Sequence, residues 1–275
     1  DGFNSERLMP TLSGGGTSAN TAVALSKLGV PTAFMGAIGK DYGGRFLLKE
    51  FAEQGIDTSF TLVDNSNTIF VFAFIDPTGE RTLWAFPREG CSYADLDLSR
   101  IDLERVRNAA WLHASGMTYM TEGTSRENLP KIFQAAYEAG VPTSFDLNTR
   151  VGSAEELEPD IRSAVERTLP YVTYLLGSGK DEMYSFRPHS DWHDSARAFA
   201  APGRTVIARM GGEGTFCVDG ERELLLKPYD VKVRNTTGAG DAFNAGFIAA
   251  KMRGLSVEDA IIWGNAVAGY KVTGN

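Results

Sequence analysis

The fold of this chain is decided by one stretch in its last quarter, Asn235-Thr236-Thr237-Gly238-Ala239-Gly240-Asp241-Ala242-Phe243. The stretch places a turn of small residues and a carboxylate at the start of a predicted helix. Gly238 and Gly240 let the backbone approach a ligand where a Cβ would be in the way. Unpaired N–H groups at a helix start, with the helix dipole behind them, attract an anion. The stretch therefore predicts a phosphate cradle with Asp241 beside it. A glycine-rich turn that caps a buried helix is the alternative interpretation.

Composition narrows the class of protein. The chain has 275 residues, 43% of them hydrophobic, which is enough for a large core in one α/β domain with a small appendage. A net charge of −8 and the lack of any Lys/Arg run argue against nucleic acid as a partner. Only two cysteines occur, without zinc-binding spacing, so a reducing cytoplasm is the expected location. The longest apolar runs have the length of strands, and we therefore predict no membrane span.

Strand-like runs alternate with helical patterns in the middle of the chain. Runs at 111–115, 141–145 and 171–176 are separated by helical patterns at 126–139 and 154–168. This alternation is typical of βαβ units with a parallel sheet. The segment 69–86 differs, because two strand-like runs enclose the turn 76–79 and predict a β-hairpin. We expect the hairpin to pair with extended segments near the N-terminus and around 60–63, forming a small second sheet. An ordinary edge hairpin is the alternative.

Two further glycine-rich segments lie in the first fifth of the chain. One is Gly14-Gly15-Gly16-Thr17-Ser18-Ala19-Asn20, which leads into a helical pattern that ends at Gly29. The other is the turn 36–44, from Gly36 through Asp41 to Gly44, which leads into a second helix. Asp41 is either the N-cap of that helix or a group that contacts substrate.

Together these segments resemble the ribokinase (PfkB-type) carbohydrate kinases, nearest to the fructokinase and 2-keto-3-deoxygluconate kinase branch. The resemblance rests on the Asn-Thr-x-Gly-Ala-Gly-Asp signature at 235–241, the Gly-Gly-x-x-x-Asn element at 15–20 and the Gly-x-x-Gly-x-Asp-x-x-Gly turn at 36–44. It implies an α/β fold, a ribokinase-like three-layer αβα domain with a mainly parallel sheet, plus a small β-sheet lid. The α/β domain is then expected at 13–56 and 91–275 and the lid at 1–12 and 57–90.

The resemblance also implies which residues bind the sugar. Gly15, Gly16 and Asn20 match the element that approaches sugar hydroxyls. The run 145–150 resembles the Asp-x-Asn-x-Arg motif of the named branch and implies that Arg150 contacts the substrate or a phosphate, with Asp146 and Asn148 organising the loop. A loop held by an Asx turn is the alternative. Arg88 stands where relatives carry a substrate-contacting Arg, unless it is simply a solvated charge.

On the nucleotide side, the implied binding residues are Ser178, Arg209, Gly211, Gly214 and Asn265. Segment 209–214 follows a predicted strand, and a plain β-turn is the alternative there. Segment 175–182 resembles the Asn-x-x-Glu region of the family, whose Glu acts on magnesium through water. The position that aligns with this Glu is Asp181, and Glu182 is adjacent to it. The resemblance therefore implies that Asp181 acts on the metal through water.

The mechanism implied is phosphoryl transfer from ATP with Mg2+, and with a monovalent cation such as K+ as a further candidate. Asp241 would take the proton of a sugar hydroxyl, and the amides of Gly238, Ala239, Gly240 and Asp241 would form the anion hole. The expected partners are a small sugar and ATP, with neither nucleic acid nor membrane, and a homodimer through the apolar lid hairpin is a candidate assembly.

Two alternatives stay open. Asn235 stands where the signature more often has Asp, which is compatible with a catalytically weakened sugar- or nucleotide-binding regulator on the same fold. A kinase of a sugar phosphate or a nucleoside is the other alternative, with Lys27, Lys40 and Arg45 as candidate cations for a substrate phosphate. We also expect a longer chain, because the family has an Asp-bearing strand before the diglycine and a further helix after residue 275.

Overall fold

The computed structural model of the chain describes residues 12–75, 81–86, 90–149 and 157–274. Ten strands lie within these ranges: β1 Gly36–Gly39, β2 Thr61–Asp64, β3 Phe70–Ile75, β4 Arg81–Phe86, β5 Leu112–Ser115, β6 Thr143–Asp146, β7 Tyr174–Ser178, β8 Thr205–Arg209, β9 Thr215–Asp219 and β10 Arg222–Leu226. The same ranges contain eight α-helices: α1 Thr17–Lys27, α2 Tyr42–Glu53, α3 Leu103–Arg107, α4 Ser125–Glu138, α5 Pro159–Thr168, α6 Trp192–Arg197, α7 Ala239–Met252 and α8 Val257–Val272.

Six strands form the central sheet, in the order β10-β9-β8-β7-β6-β5. Strands β5 to β8 run parallel, and β9 and β10 continue the sheet as an antiparallel hairpin. Neighbouring residues Leu175 and Leu176 of β7 are both fully buried, one on each face of the sheet. Burial on both faces is typical of a parallel strand covered by helices on either side.

Two apolar cores lie on the two faces of this sheet. One joins it to α4, α5 and α6 through side chains such as Phe133, Phe145 and Ile161. The other joins it to α1, α7 and α8 through side chains such as Ile207 and Phe247. The predicted three-layer α/β arrangement with a mainly parallel sheet is confirmed. No helix among the described residues is long and apolar enough to cross a membrane.

The predicted hairpin at 69–86 is confirmed, but its expected pairing with the segment around 60–63 is wrong, and residues 1–11 of the expected N-terminal partner lie outside the described residues. Strands β3 and β4 pair with each other in antiparallel register, from Phe70 opposite Phe86 to Ile75 opposite Arg81. Strand β2, in the segment expected to join them, instead pairs in parallel with β1. The reason is that α2 connects β1 to β2 and makes a βαβ unit, whose two strands lie side by side.

The carboxyl ends of the parallel strands gather the loops that carry the predicted site. Ser115 lies opposite Asp146 in the sheet, and Ser178 lies opposite Arg209, so that these strand ends share one edge. Open α/β sheets bind ligands at this edge. Helix α7 starts beside this edge and packs closely on α8. Glycine at position 246 permits this close approach, because a Cβ there would lie only 2.8 Å from the Trp263 carbonyl oxygen.

Candidate active site

The predicted phosphate cradle is the start of α7. Gly238 is the N-cap residue, with φ of 75° in the left-handed region that favours glycine. The turn before it is held by Asn235, whose Oδ1 accepts a 2.9 Å hydrogen bond from the Thr237 amide. Asp241 therefore stands in the first turn of the helix, with only 6% of its surface exposed. The geometry is that of a helix N-terminus, the kind of place that binds anions, with a carboxylate in its first turn.

The four predicted anion-hole amides do not have equal freedom. The amide of Ala239 donates to the Thr236 carbonyl at 3.1 Å, whereas the amide of Gly240 has no acceptor among the described residues. A Cβ at Gly240 would lie 2.9 Å from Nη1 of Arg209, which explains why glycine stands there. The Gly240 amide thus remains available to an incoming anion.

The substrate-side and phosphate-side motifs meet at Asp241. Asn20, in the first turn of α1, donates from Nδ2 to Oδ2 of Asp241 at 2.8 Å. The helix follows Gly16, which has φ of 104°, and a Cβ on the preceding Gly15 would meet nothing within 4 Å. Of the predicted sugar-binding residues, Asn20 therefore contacts the predicted base, while Gly15 and Gly16 lie at the start of the same helix.

Arg209 is turned inward, beneath the cradle. Its guanidinium donates to Asp146 Oδ1 at 2.6 Å, to Asn244 Oδ1 at 2.7 Å and to the Gly240 carbonyl at 2.9 Å. Burial by itself lowers the pKa of Arg209, but the nearby carboxylates of Asp146 and Glu182 outweigh burial and raise it. Both terminal nitrogens of Arg209 thus donate to protein acceptors, and its predicted contact with nucleotide stays a prediction.

Asn244 was not among the residues predicted from sequence. It is fully buried in α7 and also donates from Nδ2 to Asp146 Oδ2 at 2.8 Å. A signal was present, because an amide within an otherwise Ala-, Gly- and Phe-rich buried helix must find hydrogen-bond partners.

Glu182, rather than the predicted Asp181, is the acid that turns toward the interior. Its Oε2 accepts hydrogen bonds from the amides of Asn148 at 2.9 Å and Ser178 at 3.0 Å. Burial, followed by the charge of Asp146, raises its pKa to about 7. Asp181 is exposed and accepts a 2.9 Å hydrogen bond from the Ser178 hydroxyl. The physical reason is that residues 179–184 form a π-helical turn, whose wider spacing shifts by one the residue that faces inward.

The loop after β6 has an unusual backbone. Asn148 has φ of 30°, the one positive value at a non-glycine position among the described residues. Asn tolerates this region better than most residues, and the Glu182 carboxylate holds its amide in place. Asn148 thus shapes the loop after β6, while Asp146, the other residue of the motif, ends the strand. Arg150, at the end of that motif, and Arg88 both lie outside the described residues.

The predicted nucleotide loop follows β8. Gly211 and Gly214 both have positive φ, and a Cβ on Gly214 would clash with the Leu226 carbonyl. Asn265 on α8 is only 8% exposed, and its Oδ1 accepts a 3.0 Å hydrogen bond from the Thr215 hydroxyl.

Asp41 is a helix N-cap. Its carboxylate accepts 2.8 Å hydrogen bonds from the Gly44 amide and from both the amide and the hydroxyl of Thr68. Burial acts to raise its pKa, but these hydrogen bonds prevail and lower it. Since Thr68 immediately precedes the hairpin, Asp41 ties the glycine turn to the base of β3, and of its two interpretations the N-cap is confirmed.

Comparison with known proteins gives a consistent result. Residues 9–274 match the description of the pfkB family carbohydrate kinases. The chain is 30% identical over 254 residues to an aminoimidazole riboside kinase of Salmonella typhimurium, covering 90% of this chain and 76% of that protein. It is 27% identical over 270 residues to a 5-dehydro-2-deoxygluconokinase of Geobacillus thermodenitrificans, covering 94% and 78%. Among solved structures, an Escherichia coli protein of the ribokinase II type with bound ATP and Mg2+ superimposes with a TM-score of 0.83 at 23% identity, over 100% of this chain and 87% of that one.

Proposed function

The chain belongs to the pfkB family of carbohydrate kinases, and we propose that it transfers the γ-phosphate of ATP to a hydroxyl of a small sugar or sugar acid. One observation carries this proposal. The Asp241 carboxylate stands in the first turn of α7, next to the Gly240 amide, which has no acceptor among the described residues, and in contact with Asn20 from the predicted sugar-binding motif.

Phosphoryl transfer asks the protein mainly to position the reactants, remove a hydroxyl proton and stabilise charge on the transferred group. Asp241 accepts the proton of the attacking hydroxyl. The amides of Gly238, Ala239, Gly240 and Asp241 form the anion hole, and the Gly240 amide has no acceptor among the residues that the structure describes. Such donors contribute a few kcal/mol each, and a positioned base contributes about two to four orders of magnitude in rate.

The substrate is proposed to be a ketose or ketoaldonate. The Asp-x-Asn-x-Arg motif at 146–150 supports this class, as does the similarity to a 5-dehydro-2-deoxygluconokinase. Gly15, Gly16 and Asn20 approach the hydroxyls, and Arg88 and Arg150 supply positive charge. The similarity to a riboside kinase makes a nucleoside the alternative substrate class. A phosphorylated substrate receives little support, because its candidate cations are all exposed: Lys27, Lys40 and Arg45.

The nucleotide is proposed to lie against Ser178, Gly211, Gly214 and Asn265. No group of three or more acidic, His or Cys side chains among the described residues is arranged to hold a metal ion alone. That fits Mg2+, which protein sites commonly bind through one or two carboxylates together with nucleotide phosphates. When bound, Mg2+ neutralises phosphate charge. Asp181 and Glu182 are the candidate carboxylates on this side, and K+ is a further candidate ion.

The hairpin is proposed to pair with a second copy of the chain in a cytoplasmic homodimer. Phe72, Phe74, Trp84 and Phe86 lie on one face of β3 and β4 and are each between 45% and 60% exposed. Within the described residues β3 and β4 pair only with each other, and a two-stranded sheet with an exposed aromatic face is marginal in water. Sedimentation velocity is expected to give a dimer, and Trp84→Glu a monomer. A monomeric wild-type protein at micromolar concentration would contradict this assembly.

The activity is tested by measuring ADP release from MgATP with ketoses, aldoses, 2-keto-3-deoxy acids, sugar phosphates and nucleosides. Asp241→Asn is expected to lower kcat by about two to four orders of magnitude while ATP binding persists. Near-normal activity of this variant would overturn the role of Asp241. Saturable binding of sugar or ATP by the wild type without turnover would instead favour the regulator, for which Asn235 in place of Asp is the motivating residue.

A further inference from the structure

Three buried polar side chains form a closed ring beneath the start of α7. Asp146 bonds to Arg209 at 2.6 Å, Arg209 bonds to Asn244 at 2.7 Å, and Asn244 bonds back to Asp146 at 2.8 Å. We call these three residues the ring. Asp146 uses one carboxylate oxygen for each neighbour, and Asn244 uses its carbonyl for one and its amide for the other. Each of the three hydrogen bonds therefore joins one donor to one acceptor, and no acceptor atom is shared between two of them.

The ring joins three separate elements of the fold. Asp146 ends β6, Arg209 ends β8, and Asn244 lies in α7, three residues after Asp241. Arg209 also donates from Nη1 to the carbonyl oxygen of Gly240 at 2.9 Å. Gly240 is itself one of the residues whose amides are predicted to form the anion hole. The ring thus fixes the first turn of α7 to the carboxyl edge of the sheet.

A buried charged side chain is stable only while its oppositely charged partner is present. Side chains of Arg209 and Asp146 are 13% and 3% exposed, so that removing either one would leave the other charge buried without compensation. Replacing such a pair with apolar groups is often neutral for stability. Stability alone is therefore a weak reason for a fully bonded polar ring at this place.

We infer that Asp146, Arg209 and Asn244 are positioning residues that orient the Gly240 amide and the Asp241 carboxylate toward the reacting phosphate. This inference rests on the proposed kinase function and deepens it. It assigns a role to Asn244, and it replaces the expected contact of Arg209 with nucleotide by a contact with the backbone of the cradle. Positioning of this kind is demanding, since a displacement of about 1 Å can cost about 100-fold in rate.

The ring offers an exchange experiment, because Asp and Asn are nearly equal in shape. In the single variants Asn244→Asp and Asp146→Asn, Arg209 faces two carboxylates or two amides. In the double variant Asp146→Asn/Asn244→Asp the carboxylate and the amide trade places. Both still accept from Arg209, and the residue at 146 now donates to the one at 244. Asp219→Asn is the matched control, since Asp219 accepts a 2.8 Å hydrogen bond from Thr205 at the opposite end of the same sheet.

Two readouts are needed for each variant. One readout is the steady-state kinetics, kcat and KM for ATP, with the substrate that the ADP-release experiment identifies. The other is amide hydrogen exchange over residues 239–247 without ligand, which does not depend on turnover. Each single variant is expected to lower kcat about 100-fold with KM for ATP nearly unchanged, and to raise exchange in the first turn about tenfold. The double variant is expected to recover both to within a few fold, and Asp219→Asn to change neither.

Three results would overturn the inference. The first is a double variant as impaired as the singles in both readouts. The second is single variants that lose thermal stability but keep the kcat and the local exchange of the wild type. The third is a rise in KM for ATP as large as the fall in kcat, which would assign Arg209 to the nucleotide itself. If no substrate is found for any variant, the proposed function fails, but restored hydrogen exchange in the double variant would still support the ring as the anchor of α7.

Discussion

The Nδ2 of Asn20 donates a 2.8 Å hydrogen bond to Oδ2 of Asp241, across 221 residues of sequence. The contact joins the first turns of α1 and α7, two helices that pack against each other along one face of the sheet. The contact holds Oδ2 of the carboxylate, and with it the proposed base, in one direction. A base held in this way has fewer orientations to lose before it accepts a proton.

The first prediction concerns this contact. Asn20→Leu keeps a side chain of similar size and removes the donor, so that kcat is expected to fall roughly 10- to 100-fold. Thr21→Val is the matched control, because the Thr21 hydroxyl donates to the backbone carbonyl of Asp241, at 3.3 Å, rather than to its carboxylate. It should keep kcat within about threefold. Steady-state kinetics of both variants checks this, and equal losses would contradict an orienting role for Asn20.

The second prediction concerns the space beneath the cradle. Gly240→Ala puts a methyl group 2.9 Å from Nη1 of Arg209, which the ring prevents from moving freely. We expect a loss of about 1–3 kcal/mol in the free energy of unfolding, together with a lower kcat. At Gly269, inside α8, a Cβ would meet only atoms 3.9 Å away. Gly269→Ala should therefore stabilise the protein by about 0.5–1 kcal/mol. The free energy of unfolding, measured with urea, should fall in Gly240→Ala and rise in Gly269→Ala. A Gly240→Ala variant more stable than the wild type would contradict the predicted clash with Arg209.

The third prediction separates the shape of the signature from its charge. Asn235 holds the turn through its Oδ1, which an Asp would also supply. Asn235→Asp should keep stability and kcat, whereas Asn235→Ala should cost about 1 kcal/mol and lower kcat several fold. Asp97 caps the Ser99 amide in the same way at 3.0 Å, far from the site in sequence. Asp97→Ala should cost similar stability without lowering kcat. If the two alanine variants had equal kcat, the Asn235 turn would have no part in catalysis.

The fourth prediction is a pH dependence of stability. The pKa of Glu182 is raised to about 7 from an ordinary value of 4.5. The stability that comes with its protonated form is fully present below about 4.5 and is lost as pH rises through about 7. Glu182→Gln is uncharged at every pH and keeps an acceptor for the Ser178 and Asn148 amides. Relative to the variant, the wild type should therefore lose about 2–3 kcal/mol of unfolding free energy between pH 5 and pH 8. Urea unfolding at these two pH values measures the difference, and a constant difference would contradict the raised pKa.

The sequence predicted the fold and the outline of the site because their signals are local. Alternating strand and helix patterns indicate a parallel sheet, and the glycines around Asp241 and Asn20 indicate turns that need no long-range information. What it missed depends on how side chains turn once the layers pack. A π-helical turn moved Glu182 inward and Asp181 outward, and residue spacing alone does not show such a turn.

The same limit applies to Arg209. Its assignment to the nucleotide rested on the resemblance of segment 209–214 to a loop of the family, and only the three-dimensional arrangement shows that its guanidinium donates to Asp146 and Asn244. Strand pairing was missed for a related reason. The segment 60–63 has a strand pattern, but its choice of β1 over the hairpin depends on the path of α2.

The contact of α1 with α7 also bears on how the protein is made. During synthesis the segment with Asn20 leaves the ribosome first, and its partner helix follows some 220 residues later, which takes roughly 10–40 s at 5–20 residues per second. Throughout that interval the apolar face of α1, including Leu25, lacks the α7 surface that covers it in the finished protein. The nascent chain is thus an expected client for chaperones, and any truncated product that ends before α7 would be inactive and prone to aggregate.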